Sequence, residues 1–252
     1  MSNKKYLIVV GGATASGKTA VAIALARHFE TDILSADSRQ FFREMSIGTA
    51  KPTAEELAAA KHYFVNNLSI HDAYSVGEFE REALRVLADI FTEKNVAVMV
   101  GGTGLYLRAV CDGLDDFPEV PLSIRRHFEQ IFENEGIEPL QNLLQNVDSE
   151  YFATVDRQNA PRLIRALSVW KVSGKPFSSF RTGAKVTRDF EPIYIALDLP
   201  RPILYEKINR RVDAMIANGL QRVQFLKRNE LPRFCEQTVG NHGVHTAVYF
   251  FI

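Results

Sequence analysis

The chain has 252 residues, 46% of them apolar and 24% charged, and its 30 basic and 30 acidic side chains balance to zero. This length and balance suit one α/β domain with a smaller appended one, and they exclude a disordered or fibrous chain and a generally basic nucleic-acid binder. No apolar run approaches the roughly 20 residues of a membrane span, and the first five residues lack the apolar region and cleavage site of a signal peptide, so a cytoplasmic protein without membrane contact is expected.

Residues 6–10, Y-L-I-V-V, read as a buried strand and run into G-A-T-A-S-G-K-T at Gly12, Ala13, Thr14, Ala15, Ser16, Gly17, Lys18 and Thr19. This is a full match to the phosphate-cradling pattern G-x-x-x-x-G-K-[ST]. Its glycines let successive N–H groups point at phosphate oxygens, Lys18 can bridge the outer phosphates, and Thr19 can ligate magnesium. The following helix, expected over 18–29, aims its positive end at the same anion. A second apolar run at 31–36 ends at Asp37, Ser38, Arg39 and Gln40. In an open α/β sheet that places Asp37 beside the phosphate loop.

T-A-E-E at 53–56 and S-V-G-E at 75–78 are capping boxes that open helices, the second running through Phe79, Leu84 and Ile90 at helical spacing. V-A-V-M-V at 96–100 is a continuous apolar strand that breaks into G-G-T-G-L-Y around Thr103. After Gly113 the character changes to helical patterns at about 123–135, 139–146 and 159–173. A buried strand is expected again at 193–199, then an amphipathic helix over 202–218 closed by Gly219. The fold class is therefore α/β: a P-loop NTPase-like parallel sheet flanked by helices, with a helical insertion domain. The expected bounds are 1–113 for the first part of the core, 114–188 for the insertion, 189–240 for the return to the core and 241–252 for an atypical tail.

Charge is uneven along the chain. Between Arg157 and Arg188 there are eight Lys or Arg and no acid, so the insertion is a candidate polyanion surface even in a neutral protein, or else a solvated basic face. Cys111 and Cys235 form no C-x-x-C and indicate neither a disulfide framework nor zinc. His242 and His245 have no carboxylate or cysteine nearby to complete a metal site. The phosphate loop, Asp37 and the glycine turn around Thr103 converge on the carboxyl end of one sheet, which is an active-site layout. Asp37 there can bind magnesium, act as a general base, or simply cap a helix.

The motifs V-G-G-A-T-A-S-G-K-T, S-A-D-S-R-Q, I-G-T-A-K-P, V-G-G-T-G-L-Y, P-R-L-I-R-A-L and Q-T-V-G, in this order, resemble those of the tRNA dimethylallyltransferases, also called tRNA isopentenyltransferases. The resemblance runs from about residue 5 to residue 240. It implies transfer of a dimethylallyl group from dimethylallyl diphosphate to N6 of the adenosine just 3′ of the anticodon, with Mg2+ and release of diphosphate. It assigns Gly12 to Thr19 to nucleotide or diphosphate binding, with Thr19 as metal ligand, and Asp37, Thr103 and Arg211 to catalysis. It puts Asp37, Ser38, Arg39, Gln40, Thr103, Arg125, Pro161, Arg162, Leu163, Ile164 and Arg165 on the anticodon stem-loop of tRNA. A monomer is expected.

The chain departs from the family after Gly240, where a tyrosine and then an arginine-rich helix containing K-R-Q-x-x-W would follow. Here Asn241 follows and the sequence stops twelve residues after Gly240. A truncated or frameshifted reading frame is the expectation, with tRNA affinity and activity reduced. Three rival readings remain open at this point: an adenylate isopentenyltransferase, which needs no tRNA-gripping insertion; an ATP-dependent small-molecule kinase; and a non-catalytic remnant.

Overall fold

The computed structural model describes residues 4–220. Cys235, the Q-T-V-G motif, His242, His245 and the tail at 241–252 lie outside the described residues. The chain divides into two compact units, one of residues 1–113 with 187–252 and one of residues 114–186.

In the first unit the chain runs through β1 (Tyr6–Gly12), α1 (Lys18–His28), β2 (Ile33–Ser35), α2 (Ala54–Ala59), β3 (His62–Tyr63), α3 (Val76–Glu93), β4 (Val96–Val100) and α4 (Gly104–Asp112). Both capping boxes form as their spacing dictates. The Glu56 N–H donates to Thr53 Oγ1 at 3.2 Å while Glu56 accepts from the Thr53 N–H at 2.8 Å. Ser75 and Glu78 repeat the exchange at the start of α3. Such reciprocal bonds satisfy two of the donors that a helix start leaves unpaired.

The second unit is helical: α5 (Leu122–Glu135), α6 (Glu138–Val147), α7 (Ser149–Thr154), α8 (Ala160–Ser173) and a 3₁₀ turn at Phe177–Phe180. Its core gathers Phe128, Leu140, Leu144, Leu163, Leu167 and Phe177. The short α7 and the 3₁₀ turn carry too little periodicity to be read from sequence. They depend on Asp148, which is 3% exposed. Its carboxylate accepts from the Tyr151 N–H at 3.0 Å, capping α7, and from the N–H and hydroxyl of Ser178 at 2.7 and 2.8 Å. One buried acid thus ties two otherwise separate turns together.

The chain then returns as β5 (Glu191–Leu197) and α9 (Arg201–Ala217), with Gly219 just past the helix end at φ +92°. The five strands form a parallel sheet in the order β3-β2-β4-β1-β5. Alternate residues of β1 serve two layers: Leu7 and Val9 pack with Phe79, Ala83 and Leu87 of α3, while Ile8 and Val10 pack with Ala22 and Ala26 of α1. This is the expected parallel sheet flanked by helices, and both faces of its central strands are covered.

The expectation of a buried strand at 193–199 needs correcting. The strand begins two residues earlier, lies at the sheet edge among the described residues, and leaves Ile193 43% and Tyr194 60% exposed. Only Ile195 and Leu197 pack against the layer on the α1 side. An apolar run marks a strand, but it does not say whether a second layer covers it. Pro192, without an N–H, is tolerated on such an edge. Likewise α9 buries none of its residues.

Candidate active site

The phosphate loop follows β1 directly. Gly17 precedes α1 in the left-handed conformation at φ +95°, which a side chain would resist. Ala15 holds a left-handed φ of 60° without that freedom, so the loop carries local strain of about 1 kcal/mol. Across the sheet the turn after β4 closes on the end of β2: a Cβ at Gly101 would lie 2.5 Å from the Ala36 carbonyl oxygen, so only glycine allows this approach. These contacts bring three chain segments to the carboxyl end of the sheet.

Between them lies a cavity of about 480 Å³ lined by Gly12, Thr14, Lys18, Asp37, Ser38, Arg39, Gly48, Thr49, Gly102, Thr103, Gly104 and Arg211. The Lys18 ammonium donates to the carbonyls of Gly12 and Ala13 at 3.0 and 2.6 Å. Arg211 reaches from α9 to the Thr14 hydroxyl at 3.2 Å, so it is held at the loop and not left on the helix surface. Burial lowers the Lys18 ammonium below its ordinary value, Asp37 pulls it back up and Arg211 pushes it further down. Burial also lowers the Arg211 guanidinium, against the pull of Asp37. The three charges act on one another across one cavity.

Asp37 takes the Arg39 N–H on one carboxylate oxygen at 3.1 Å, which fixes the loop and leaves the other oxygen without a hydrogen bond among the described residues. Thr103 precedes α4, but its side chain makes no capping bond. The hydroxyl is therefore not consumed by the helix start. Ser38 and Arg39 line the cavity with Asp37. Gln40 does not: its amide oxygen accepts from Ser35 at 3.2 Å and its nitrogen donates to the carbonyls of Thr49 and Ala50 at 3.4 and 3.1 Å. The glutamine braces the wall from behind. Ala13, Ala15, Ser16, Gly17 and Thr19 belong to the loop and first turn without lining the cavity. The Thr19 hydroxyl has no partner among the described residues.

The remaining candidates lie in the helical unit. Arg125 pairs with Glu129 at 2.8 Å one turn along α5. Pro161, Arg162 and Arg165 are exposed on the first turns of α8, whereas Leu163 at 0% and Ile164 at 7% exposure belong to the core. The Arg165 guanidinium lies 5.6 Å from the centre of the Phe117 ring. Desolvation, and then the charge of Arg125, lower its pKa.

Arg188, the last cation of the basic stretch, is not a surface residue. It is 11% exposed at its side chain, pairs with Glu80, and donates to the Val110 and Ala109 carbonyls at 2.9 and 2.8 Å, closing the C-terminal end of α4. Sequence reading missed this role and that of Asp148, since nothing local marks a charge whose partners lie far along the chain.

A family model described as IPP transferase matches residues 40–246. The chain is 54% identical over 220 residues to a tRNA dimethylallyltransferase of Christiangramia forsetii, covering 87% of this chain and 72% of that protein. It is 45% identical over 241 residues to the Cytophaga hutchinsonii protein of the same name, covering 94% and 78%. Among solved structures, a eukaryotic dimethylallyltransferase acting on tRNA superposes with a TM-score of 0.78 at 25% identity, over 92% of this chain and 60% of that one. The tRNA isopentenylpyrophosphate transferase of Bacillus halodurans superposes with 0.61 at 29%, over 98% and 82%. The chain belongs to the IPP transferase family, the tRNA dimethylallyltransferases.

Proposed function

We propose that the chain transfers a dimethylallyl group from dimethylallyl diphosphate to N6 of the adenosine 3′-adjacent to the anticodon of tRNA, releasing diphosphate. The observation that carries this reading is the single cavity shared by Lys18, Arg211 and Asp37. Lys18 and Arg211 there suit a departing diphosphate, and the one carboxylate suits a proton leaving the acceptor. The allylic C–O bond breaks with its electron pair going to the diphosphate, the N6–C bond forms, and Asp37 takes the N6 proton. The allylic cation is delocalised, so the larger demand is on stabilising the leaving group.

Loop N–H groups from Gly12 to Thr19, with Lys18 and Arg211, would receive the diphosphate charge. Thr103 stands on the same cavity wall, where its hydroxyl can orient the acceptor. The described residues contain no group of three or more His, Cys, Asp or Glu able to cage a cation. Magnesium, if bound beside the diphosphate, would be held by the Thr19 hydroxyl, which has no partner among the described residues, with further oxygens from the substrate. Bound there, magnesium would neutralise diphosphate charge. Exposed Pro161, Arg162 and Arg165, with Arg125, are proposed to contact the anticodon stem-loop; the buried Leu163 and Ile164 would act by supporting them. Among the described residues no helix is long and apolar enough to cross a membrane; the enzyme is proposed to be monomeric and cytoplasmic.

Incorporation of labelled dimethylallyl groups into unmodified tRNA tests the reading. The label should appear as an N6-modified adenosine in the anticodon loop, and its rate of incorporation should fall at least about a hundredfold in Asp37→Ala. Label entering free adenosine monophosphate instead, or none from a folded parent, would overturn it.

A further inference from the structure

Five arginines of the helical unit, Arg126, Arg157, Arg162, Arg165 and Arg181, have no carboxylate within ion-pair distance among the described residues. Three of them lie on aromatic faces instead. Guanidinium carbon to ring-centre distances are 4.8 Å for Arg157 on Phe152, 5.6 Å for Arg165 on Phe117 and 5.3 Å for Arg181 on Tyr151. A ring holds an arginine in place without using its in-plane N–H fork, whereas a carboxylate would have to be displaced before a phosphate could bind.

These rings are connected. Phe180, Phe117, Phe177 and Tyr151 form a ladder with successive centre separations of 5.8, 4.7 and 4.7 Å. Arg165 sits on its second rung and Arg181 on its last, and the charge of Arg162 also reaches Tyr151. At the Phe180 end the ladder opens into a cavity of about 330 Å³, lined by Asp116, Phe117, Pro118, Ser173, Lys175 and Phe180. The volume admits one planar ring system, and the wall combines two aromatic surfaces with a cation and an acceptor carboxylate.

We propose that this cavity seats one unstacked base of single-stranded RNA, stacked on Phe180 and packed against the edge of Phe117, with Lys175 and the ring-held arginines contacting the flanking phosphates. The proposal rests on the tRNA-directed function for the presence of RNA. It adds a base-binding site at residues that the family motifs do not single out. Charge favours RNA as the occupant: within the helical unit the stretch from Arg157 to Lys185 holds seven cations and no acid. Stacking on side-chain rings together with phosphate neutralisation is how proteins hold unpaired nucleotides. Asp116 at the rim can accept from an amino group on the base edge.

The test measures binding of an unmodified anticodon stem-loop RNA by the parent, Phe180→Leu and Lys175→Ala. Leucine keeps the apolar packing and removes the flat π surface. Phe180→Leu should weaken RNA affinity about tenfold, with the protein still folded by circular dichroism at the assay temperature and unchanged affinity for dimethylallyl diphosphate. Lys175→Ala should reduce the salt dependence of RNA binding by about one unit of slope. An RNA-binding parent whose two variants match it in affinity and salt slope would overturn this proposal alone. A folded parent that binds no RNA would overturn it together with the tRNA-directed function. Displacement of the RNA by a poly-glutamate peptide whose own affinity survives Phe180→Leu would assign the face to an acidic protein partner instead.

Discussion

In the sheet unit, the working cations Lys18 and Arg211 are held by two backbone carbonyls and a threonine hydroxyl around a cavity made by loops at strand ends. In the helical unit, Arg157, Arg165 and Arg181 are held by aromatic rings that belong to, or rest on, the packed core. The first arrangement depends on backbone geometry: a left-handed glycine, a close approach at Gly101, a helix start. The second depends on side-chain packing. Chemistry that must address a small, highly charged diphosphate calls for fixed N–H groups and close cations. A long, irregular polyanion is better met by arginines that are oriented without a carboxylate to compete.

Removing the phosphate-loop cation is the sharpest way to separate the two units. Lys18→Ala should weaken dimethylallyl diphosphate binding about a hundredfold, the loss of a charge-assisted contact worth roughly 2–3 kcal/mol, and leave RNA affinity unchanged in a filter-binding assay. A matching loss of RNA affinity would break the comparison. Of comparable size but in the other unit, Asp148→Ala leaves the Tyr151 and Ser178 donors of a buried network unpaired. It should destabilise the helical unit by about 3 kcal/mol in denaturant unfolding while diphosphate affinity in native buffer holds.

Arg211→Ala should cost about tenfold in diphosphate affinity, less than Lys18, because Arg211 reaches the loop through one hydroxyl. The pH dependence sharpens the same point. The Lys18 pKa lies below 10.5, chiefly through burial. Diphosphate affinity that depends on the ammonium is full below that lowered value and is lost as pH rises through it, before an ordinary lysine would titrate. In the ligand-free protein the buried ammonium costs stability below the same pKa, and the cost disappears as pH climbs towards 10.5. Lys18→Met should abolish the alkaline limb in a binding titration, and persistence of the limb would assign it to another group. The smallest effect is at Ala15, where glycine relieves a left-handed φ. Ala15→Gly should change stability by no more than about 1 kcal/mol, with strain relief opposed by added chain entropy, as read from the unfolding midpoint.

The same contrast explains what the sequence reveals. The phosphate loop, β4, α8 and both capping boxes are read directly, because a motif, a continuous apolar run or a four-residue spacing is a local constraint. Asp37 and Thr103 can be placed at the carboxyl end of the sheet because strand ends define where ligands sit. Arg211 enters the cavity from a position 197 residues after Thr14, which family resemblance supplied and periodicity did not. Gln40 stands next to lining residues in sequence, yet its amide is consumed by Ser35, Thr49 and Ala50. Arg188 sits at the end of a basic stretch and is buried against Glu80, 108 residues away. The two-residue β3 and the exposed face of β5 escape for a related reason: one is too short for a pattern, and the other depends on what covers it.

The most direct test of the account is a paired measurement on Asp37→Ala: equilibrium binding of dimethylallyl diphosphate, and single-turnover transfer to unmodified tRNA at saturating substrate. The account predicts diphosphate affinity within about threefold of the parent and transfer slowed by roughly 10²–10⁴, the range for loss of a general base. Transfer at the parental rate would contradict the assignment of Asp37 as proton acceptor and with it the shared-cavity mechanism.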